Sequence, residues 1–552
     1  MDKKLIIFLV VFFLFFFAYQ KFVLTPVLKK EPARTAPAVT GQKPSAPASP
    51  APAVPAPEPA APSPVPAAPS GGVTAQEKKV TVDTPYYRAV FTNRGAVLGS
   101  FRLKRYTDDF GQPLEMIPQI ASAPDLPLSM DLGDKRLNKI AQESVYTIDS
   151  GDLTLGDHEA GSLSFSFTDG TNTFRKRFEF KGESYLFTST MDAATGGNPL
   201  AVRVSWAPGL ESVKSYKDVV DLKPSRGLLN NGSKVEHFDP KDVKQFRKIG
   251  ATVRWAGVEN NYFMAVFIPR NQPADVYMNQ AAVSELKTAH NCDVLIAGQR
   301  SEPLQLSLYI GPKDYIMLQQ IGLDLEDAIN FGFFSPIAKA LFFILRYFFT
   351  FTGNYGWAIV LLTILIKIIF TPFTQMSFTS MKKMQVMQPE LKKIQDKYAK
   401  MKSDDPRKLS MNTEIMQMHK RYGVNPLGGC LPMLLQMPVL FAFYGLLGNA
   451  IELRKAPFML WLQDLSRADP LHITPLIMGG TMLLQQRMTP TTDPMQKNMM
   501  YIMPIMFTWI SFKLQSGLVL YWLLSNVLAI AHQYYFQRQQ KTTALKESPA
   551  SS

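Results

Sequence analysis

The sequence predicts an α-helical membrane protein of six spans that carries an all-β sandwich domain outside the bilayer. Three observations predict it. Long apolar runs recur after Phe331. The formal net charge of +14 is lopsided: residues 1–330 hold 36 basic and 35 acidic side chains, residues 331–552 hold 23 and 10. The excess therefore shares the apolar half, which fits basic loops beside membrane spans and argues against a DNA partner. Between residues 77 and 315, apolar and polar residues alternate with strand period.

Residues 1–28 read as a signal-anchor span. Lys3-Lys4 precedes an apolar run from Leu5 to Tyr19, and large residues (Phe17, Tyr19, Gln20) stand where a cleavage site would need small ones. Cleavage is the alternative. Residues 29–76 are almost entirely Ala, Pro, Ser, Gly and Val, so they form an extended tether rather than a fold.

Residues 77–315 form the β-domain. Leu163, Phe165 and Phe167 alternate up to Asp169-Gly170, and Phe178 and Phe180 alternate after it, which is a hairpin signal. At this length two sheets packed face to face are the expected architecture. Arg175-Lys176-Arg177 reads as a solvated strand face.

Residues 316–353 supply a connection and an amphipathic helix lying in the interface, with Lys339 and Arg346 at helical spacing. The second span is 354–375. Residues 376–426 form a helical hairpin. Met387, Leu391, Ile394, Tyr398 and Met401 follow a 4-3-4-3 seam, continued by Met411, Ile415, Met418 and Tyr422. Asp405 and Pro406 suit the start of its second helix. Residues 427–536 hold spans three to six, and 537–552 a basic tail.

Loop charge sets the topology. The 376–426 loop carries 11 Lys/Arg against five acids, the 451–470 loop three against three. The first is expected inside, the second and the β-domain outside, with both termini inside. Cys292 and Cys430 then lie on opposite sides and cannot pair, and two cysteines allow neither a disulfide scaffold nor an all-cysteine metal site.

The residues suggest no catalysis. The six His are scattered, no phosphate-binding Gly-rich loop ends in Lys-Ser/Thr, and no nucleophile elbow is present. No metal or cofactor is expected. One charge stands inside a span: Lys367. An ammonium at mid-bilayer costs about 2.5–3.5 kcal/mol on insertion scales. Side chains lean toward the helix N-terminus, so Lys367 leans into the bilayer rather than snorkelling out. It is expected to face a wet cavity, which Gln436 and Asn526 would share. Nineteen of the 26 Met lie between Met376 and Met506. Many suit a helix core, but Met381, Met384 and Met416 remain as an adaptable binding face.

Asn425-Pro-Leu-Gly-Gly-Cys-Leu-Pro432, Gln436-Met-Pro438, Pro490-Thr-Thr-Asp-Pro-Met495 and Ser516-Gly-Leu-Val-Leu-Tyr521 resemble the signatures of the YidC/Oxa/Alb insertase family. Asn354-Tyr-Gly-Trp357 and the order of anchor, tether, outer domain and helical core extend the resemblance. It implies a periplasmic β-sandwich and a five-helix insertase core in the bacterial inner membrane. It also implies a groove open to cytoplasm and lipid, and no enzyme activity. The groove's basic residue matches Lys367, a Lys where Arg is familiar, so the bidentate fork is lost and the charge kept. Thr363 and the aromatic pair Tyr521-Trp522 match its other lining residues. Expected partners are nascent membrane proteins, the secretion translocon, the ribosome and anionic lipids. A transporter or channel is the competing class, without the internal repeat it would favour. A structural anchor for the β-domain leaves Lys367 unexplained.

Overall fold

The computed structural model describes residues 76–119, 126–211, 224–282, 290–399, 407–423, 431–488 and 494–547. The expected anchor and nearly all of the tether, the Asp405-Pro406 helix start, Cys430 and most of two signature segments lie outside these residues.

Between residues 79 and 312 the described residues form strands in three sheets, where two were expected. A five-stranded sheet runs Pro113–Glu115, Val97–Thr107, Tyr87–Thr92, Lys79–Asp83, Leu153–Thr154. A ten-stranded sheet forms the middle, with Phe263–Pro269, Leu304–Pro312, Leu186–Thr195, Asn172–Lys181 and Ala160–Thr168 as consecutive neighbours. A second five-stranded sheet runs Arg247–Gly250, Ala274–Ala282, His290–Gly298, Arg203–Trp206, Ser129–Asp131. The large sheet serves both small ones. Phe91 of the first sits 5.0 Å from Phe178, and Trp206 of the other 6.3 Å from Phe267. Each such side chain, taken out of water, contributes about 1.5–3 kcal/mol.

The Asp169-Gly170 turn forms as read. Gly170 takes a φ of 87°, and Asp169 Oδ1 accepts from the Thr171 and Asn172 amides at 2.9 and 2.7 Å. Lys176 departs from expectation. It is fully buried, between inward-facing Phe174 and Phe178, while Arg175 and Arg177 point out. Period-two alternation places it there, and its charge is met by three carbonyls. Its Nζ donates to Gly95, Ala96 and Leu128 at 2.8, 3.1 and 2.9 Å. These three acceptors all have left-handed backbone, with φ of 69°, 47° and 71°.

A second buried charge ties the domain's exit. Glu259 accepts from Lys313 at 2.8 Å on one oxygen, and contacts Arg226 at 2.6 Å and His237 at 2.8 Å on the other. Burial alone would raise its carboxyl, but Lys313, His237 and Arg226 hold it at about 2.

The helices are α1 Lys135–Glu143, α2 Tyr315–Ile321, α3 Ser335–Thr352, α4 Tyr355–Ala399, α5 Arg407–Arg421, α6 Leu431–Asn449, α7 Ile473–Arg487, α8 Pro494–Ser511 and α9 Ser516–Glu547. α3 buries Ala338, Leu341, Phe342 and Leu345, and exposes Phe343, Tyr347 and Phe351 at four-residue spacing. Gly353, at a φ of 62°, ends it. The expected second span and the first arm of the hairpin are one continuous helix of 45 residues, α4. Pro372 lies within it; nearby, Thr371 and Thr374 hydroxyls donate back to the Lys367 and Phe370 carbonyls at 2.8 and 2.9 Å.

Among the described residues one helix stretch, Tyr355–Met384, is by itself long and apolar enough to cross a membrane. Leu435–Asn449 and Tyr501–Ser511 are apolar but shorter. Six spans are therefore more than helix length alone supports.

The loop from Ala450 to His472 meets the β-domain. Arg467 makes a paired bond to Asp109 at 2.9 and 3.1 Å. Asn261 of the domain donates to the Gly448 carbonyl at 3.4 Å. This loop therefore lies against the β-domain.

Candidate functional site

The expected cavity residues lie on α4, α6 and α9, which pack together with α7 and α8. Gly517 makes the close approach of α9 possible: a Cβ there would meet Leu447 Cδ2 at 2.9 Å and the Leu465 carbonyl at 3.0 Å. One turn on, Tyr521 is fully buried, stacked on Phe443 at 4.9 Å, and its hydroxyl takes a hydrogen bond from Gln436 Nε2. Gln436 and Tyr521 are thus brought together.

The others separate. Trp522 turns to α8, edge-on to Phe507 at 4.9 Å. Asn526 donates to Thr481 of α7 at 3.4 Å. Thr363 is fully buried and gives its hydroxyl to the Ile359 carbonyl of its own helix at 2.7 Å. A helical β-hydroxyl in an apolar setting satisfies itself this way.

Lys367, one turn below Thr363, is half-buried, and among the described residues its ammonium has no acidic or hydrogen-bonding partner. His532 on α9 lies within its electrostatic reach, with its ring 5.6 Å from Phe378 of α4. Two polar groups escaped the sequence reading. Ser525 is buried on α9, with its hydroxyl close to that of Tyr521. Its spacing of four from Tyr521 was the available signal. Thr481, the partner of Asn526, had none.

In the hairpin, Met387, Tyr398 and Met418 are buried on the seam the spacing predicts. Glu414 of α5 joins the arms, accepting from Lys397 at 2.8 Å and Tyr398 at 2.9 Å. Of the three Met expected on a binding face, Met416 is 61% exposed, while Met381 and Met384 are half-buried.

Among the described residues no cluster of three or more His, Cys, Asp or Glu could hold a metal ion. What the site offers is a cation unpaired among the described residues, amide and hydroxyl groups, and apolar helix faces. Residues 79–344 match the model of the YidC periplasmic domain, and residues 347–543 match that of the 60Kd inner membrane protein. A protein of Citrifermentans bemidjiense named membrane protein insertase YidC is 38% identical over 550 residues, covering 98% of this chain and 99% of its own. One of the same name from Nitratidesulfovibrio vulgaris is 38% identical, covering 84% of this chain and 87% of its own. A crystal structure of an active YidC insertase overlaps 83% of this chain and 93% of its own, at 17% identity and a TM-score of 0.37. The chain belongs to the YidC membrane protein insertase family, which is not an enzyme family, and is an inner-membrane protein with a periplasmic domain.

Proposed function

We propose that the helices around Lys367 form a hydrophilic groove that accepts hydrophobic segments of nascent membrane proteins and releases them sideways into lipid. The observation that carries this reading is the ammonium of Lys367, in the interior of the Tyr355–Met384 stretch, far from Lys382 and Lys383 at its end, and without an acidic partner among the described residues. An unpaired charge there is expensive and needs water or a transient anion. Acidic flanks of a client segment supply one.

The physics is passive. Carrying an unsatisfied polar group through hydrocarbon costs several kcal/mol, and a wet notch part-way through shortens the dry path. Hydrophobic partitioning then drives the segment outward along exposed apolar side chains, so no nucleotide is required. Six spans with both termini cytoplasmic, the helical hairpin as a chaperone face, and cooperation with the secretion translocon, ribosome and anionic lipids complete the proposal. The test is reconstitution into liposomes without nucleotide, with a short single-span client. Insertion at the level of empty liposomes sinks the reading. Lys367→Ala is expected to impair clients with acidic tails most; equal insertion of acidic and neutral tails by that variant removes Lys367 from its role.

A further inference from the structure

The loop from Ala450 to His472 has two unlike faces. One is polar and taken up by the β-domain. Arg454 donates to the Thr107 carbonyl at 2.8 Å, Lys455 Nζ reaches Thr107 Oγ1 at 3.2 Å and the Asp108 carbonyl, and Arg467 holds Asp109. The other face is the apolar tip Phe458–Trp461. Leu453, Leu462 and Leu465 are buried beneath it, whereas Met459 is 46% and Leu460 70% exposed.

The tip is built to stand out. Leu460 has a left-handed φ of 55°, which a branched side chain seldom adopts. The turn is fastened from both sides: the Leu462 amide donates to the Met459 carbonyl at 3.1 Å, and Gln463 Nε2 to the Leu460 carbonyl at 2.6 Å. Collapse into the adjacent core would have hidden both side chains, so their exposure asks for a cover.

The height of the tip says what covers it. Asn354, just before α4, donates to the Phe458 carbonyl at 3.2 Å, and the Phe458 ring meets Trp357 edge-on at 5.5 Å. Gly356 admits that ring, which a Cβ there would strike. Trp357 lies in the first turn of the Tyr355–Met384 stretch and is itself half-exposed, and Trp at a span's end marks the water–lipid boundary.

We propose that the Phe458–Leu460 tip seats in the outer leaflet of the bilayer at the boundary between headgroups and acyl chains, while the back of the same loop holds the β-domain. The loop is then a fixed spacer between domain and membrane. This goes beyond insertase activity and does not depend on it.

The test places the photoreactive residue p-benzoylphenylalanine at position 460 of the full-length chain, reconstituted in phosphatidylethanolamine–phosphatidylglycerol vesicles. Lipid adducts are read by mass spectrometry. Position 459 is the second probe, and position 234, an exposed lysine of the β-domain, the aqueous control. Lipid adducts at 460 and 459 several-fold above those at 234 are expected. Equal yields at all three overturn the proposal, as do adducts that join two copies of the chain instead of lipid.

Discussion

Gln436 and Tyr521 are hydrogen-bonded to each other across α6 and α9, amide to phenol, with Phe443 stacked on the same ring at 4.9 Å. Two groups expected to line an open cavity thus satisfy each other. In the proposed groove, a segment passing between these helices would exchange this bond for its own polar groups.

Tyr521→Phe keeps the ring stack and deletes the bond. It leaves one half-buried amide without its partner, at a cost of about 1 kcal/mol. The Gln436→Leu change removes the same bond from the other side. In a double-mutant cycle of unfolding in detergent the two losses should be less than additive, since only one bond exists to lose. Full additivity would show that the pair does not interact.

The hairpin separates core from face. Met387 is fully buried and Met416 is 61% exposed. Met387→Asp places a charge in the seam and should open the hairpin, seen as protease cleavage between α4 and α5. Met416→Ser should leave the cleavage pattern unchanged while weakening crosslinks to nascent chains. If both variants cleave alike, the distinction between seam and face is wrong.

The junction between domain and loop rests on charge. Arg467→Glu sets a carboxylate against Asp109, and the exposed side of this pair keeps the loss within about 1 kcal/mol. Adding Asp109→Arg should restore the contact with the sign reversed. Hydrogen–deuterium exchange over residues 107–112 reports it, because Arg454 and Lys455 donate to the Thr107 and Asp108 carbonyls there. Exchange unaffected by Arg467→Glu would mean that the apolar underside of the loop holds the junction alone.

Much of the organisation was legible because it is periodic. Strand alternation marked the β-domain, helical spacing marked the seam at Met387, Tyr398 and Met418, and Asp169-Gly170 marked its turn. What escaped depends on contacts distant in sequence. The third sheet follows from pairing Arg203–Trp206 with His290–Gly298, about ninety residues apart. The direction in which Trp522 and Asn526 face is set by α8 and α7 and not by their own helix. Lys176 was misread for a different reason. The charge triplet suggested a surface, although Phe174, Lys176, Phe178 and Phe180 share one face by simple alternation.

That buried amine carries a pH signature. Burial pushes the Lys176 amine down to about 7, against about 10.4 in an unfolded chain. Below pH 7 both states hold the proton and the whole cost of burying the charge is present. Between about 7 and 10.4 the unfolded chain binds more protons than the folded one, so stability rises with pH by a few kcal/mol at most. Above that window the rise stops. The three carbonyls of Gly95, Ala96 and Leu128 oppose the shift, because they favour a full set of three N–H donors. Lys176→Met removes the titration but leaves those carbonyls without donors, a loss of about 1–3 kcal/mol for each one left unmet. The variant should therefore be less stable than the parent chain, and the gap should widen from pH 7 to pH 10 as the parent gains. Unfolding midpoints of both chains across that range decide it: a gap that stays constant means Lys176 keeps its proton throughout and the carbonyls, not burial, govern it.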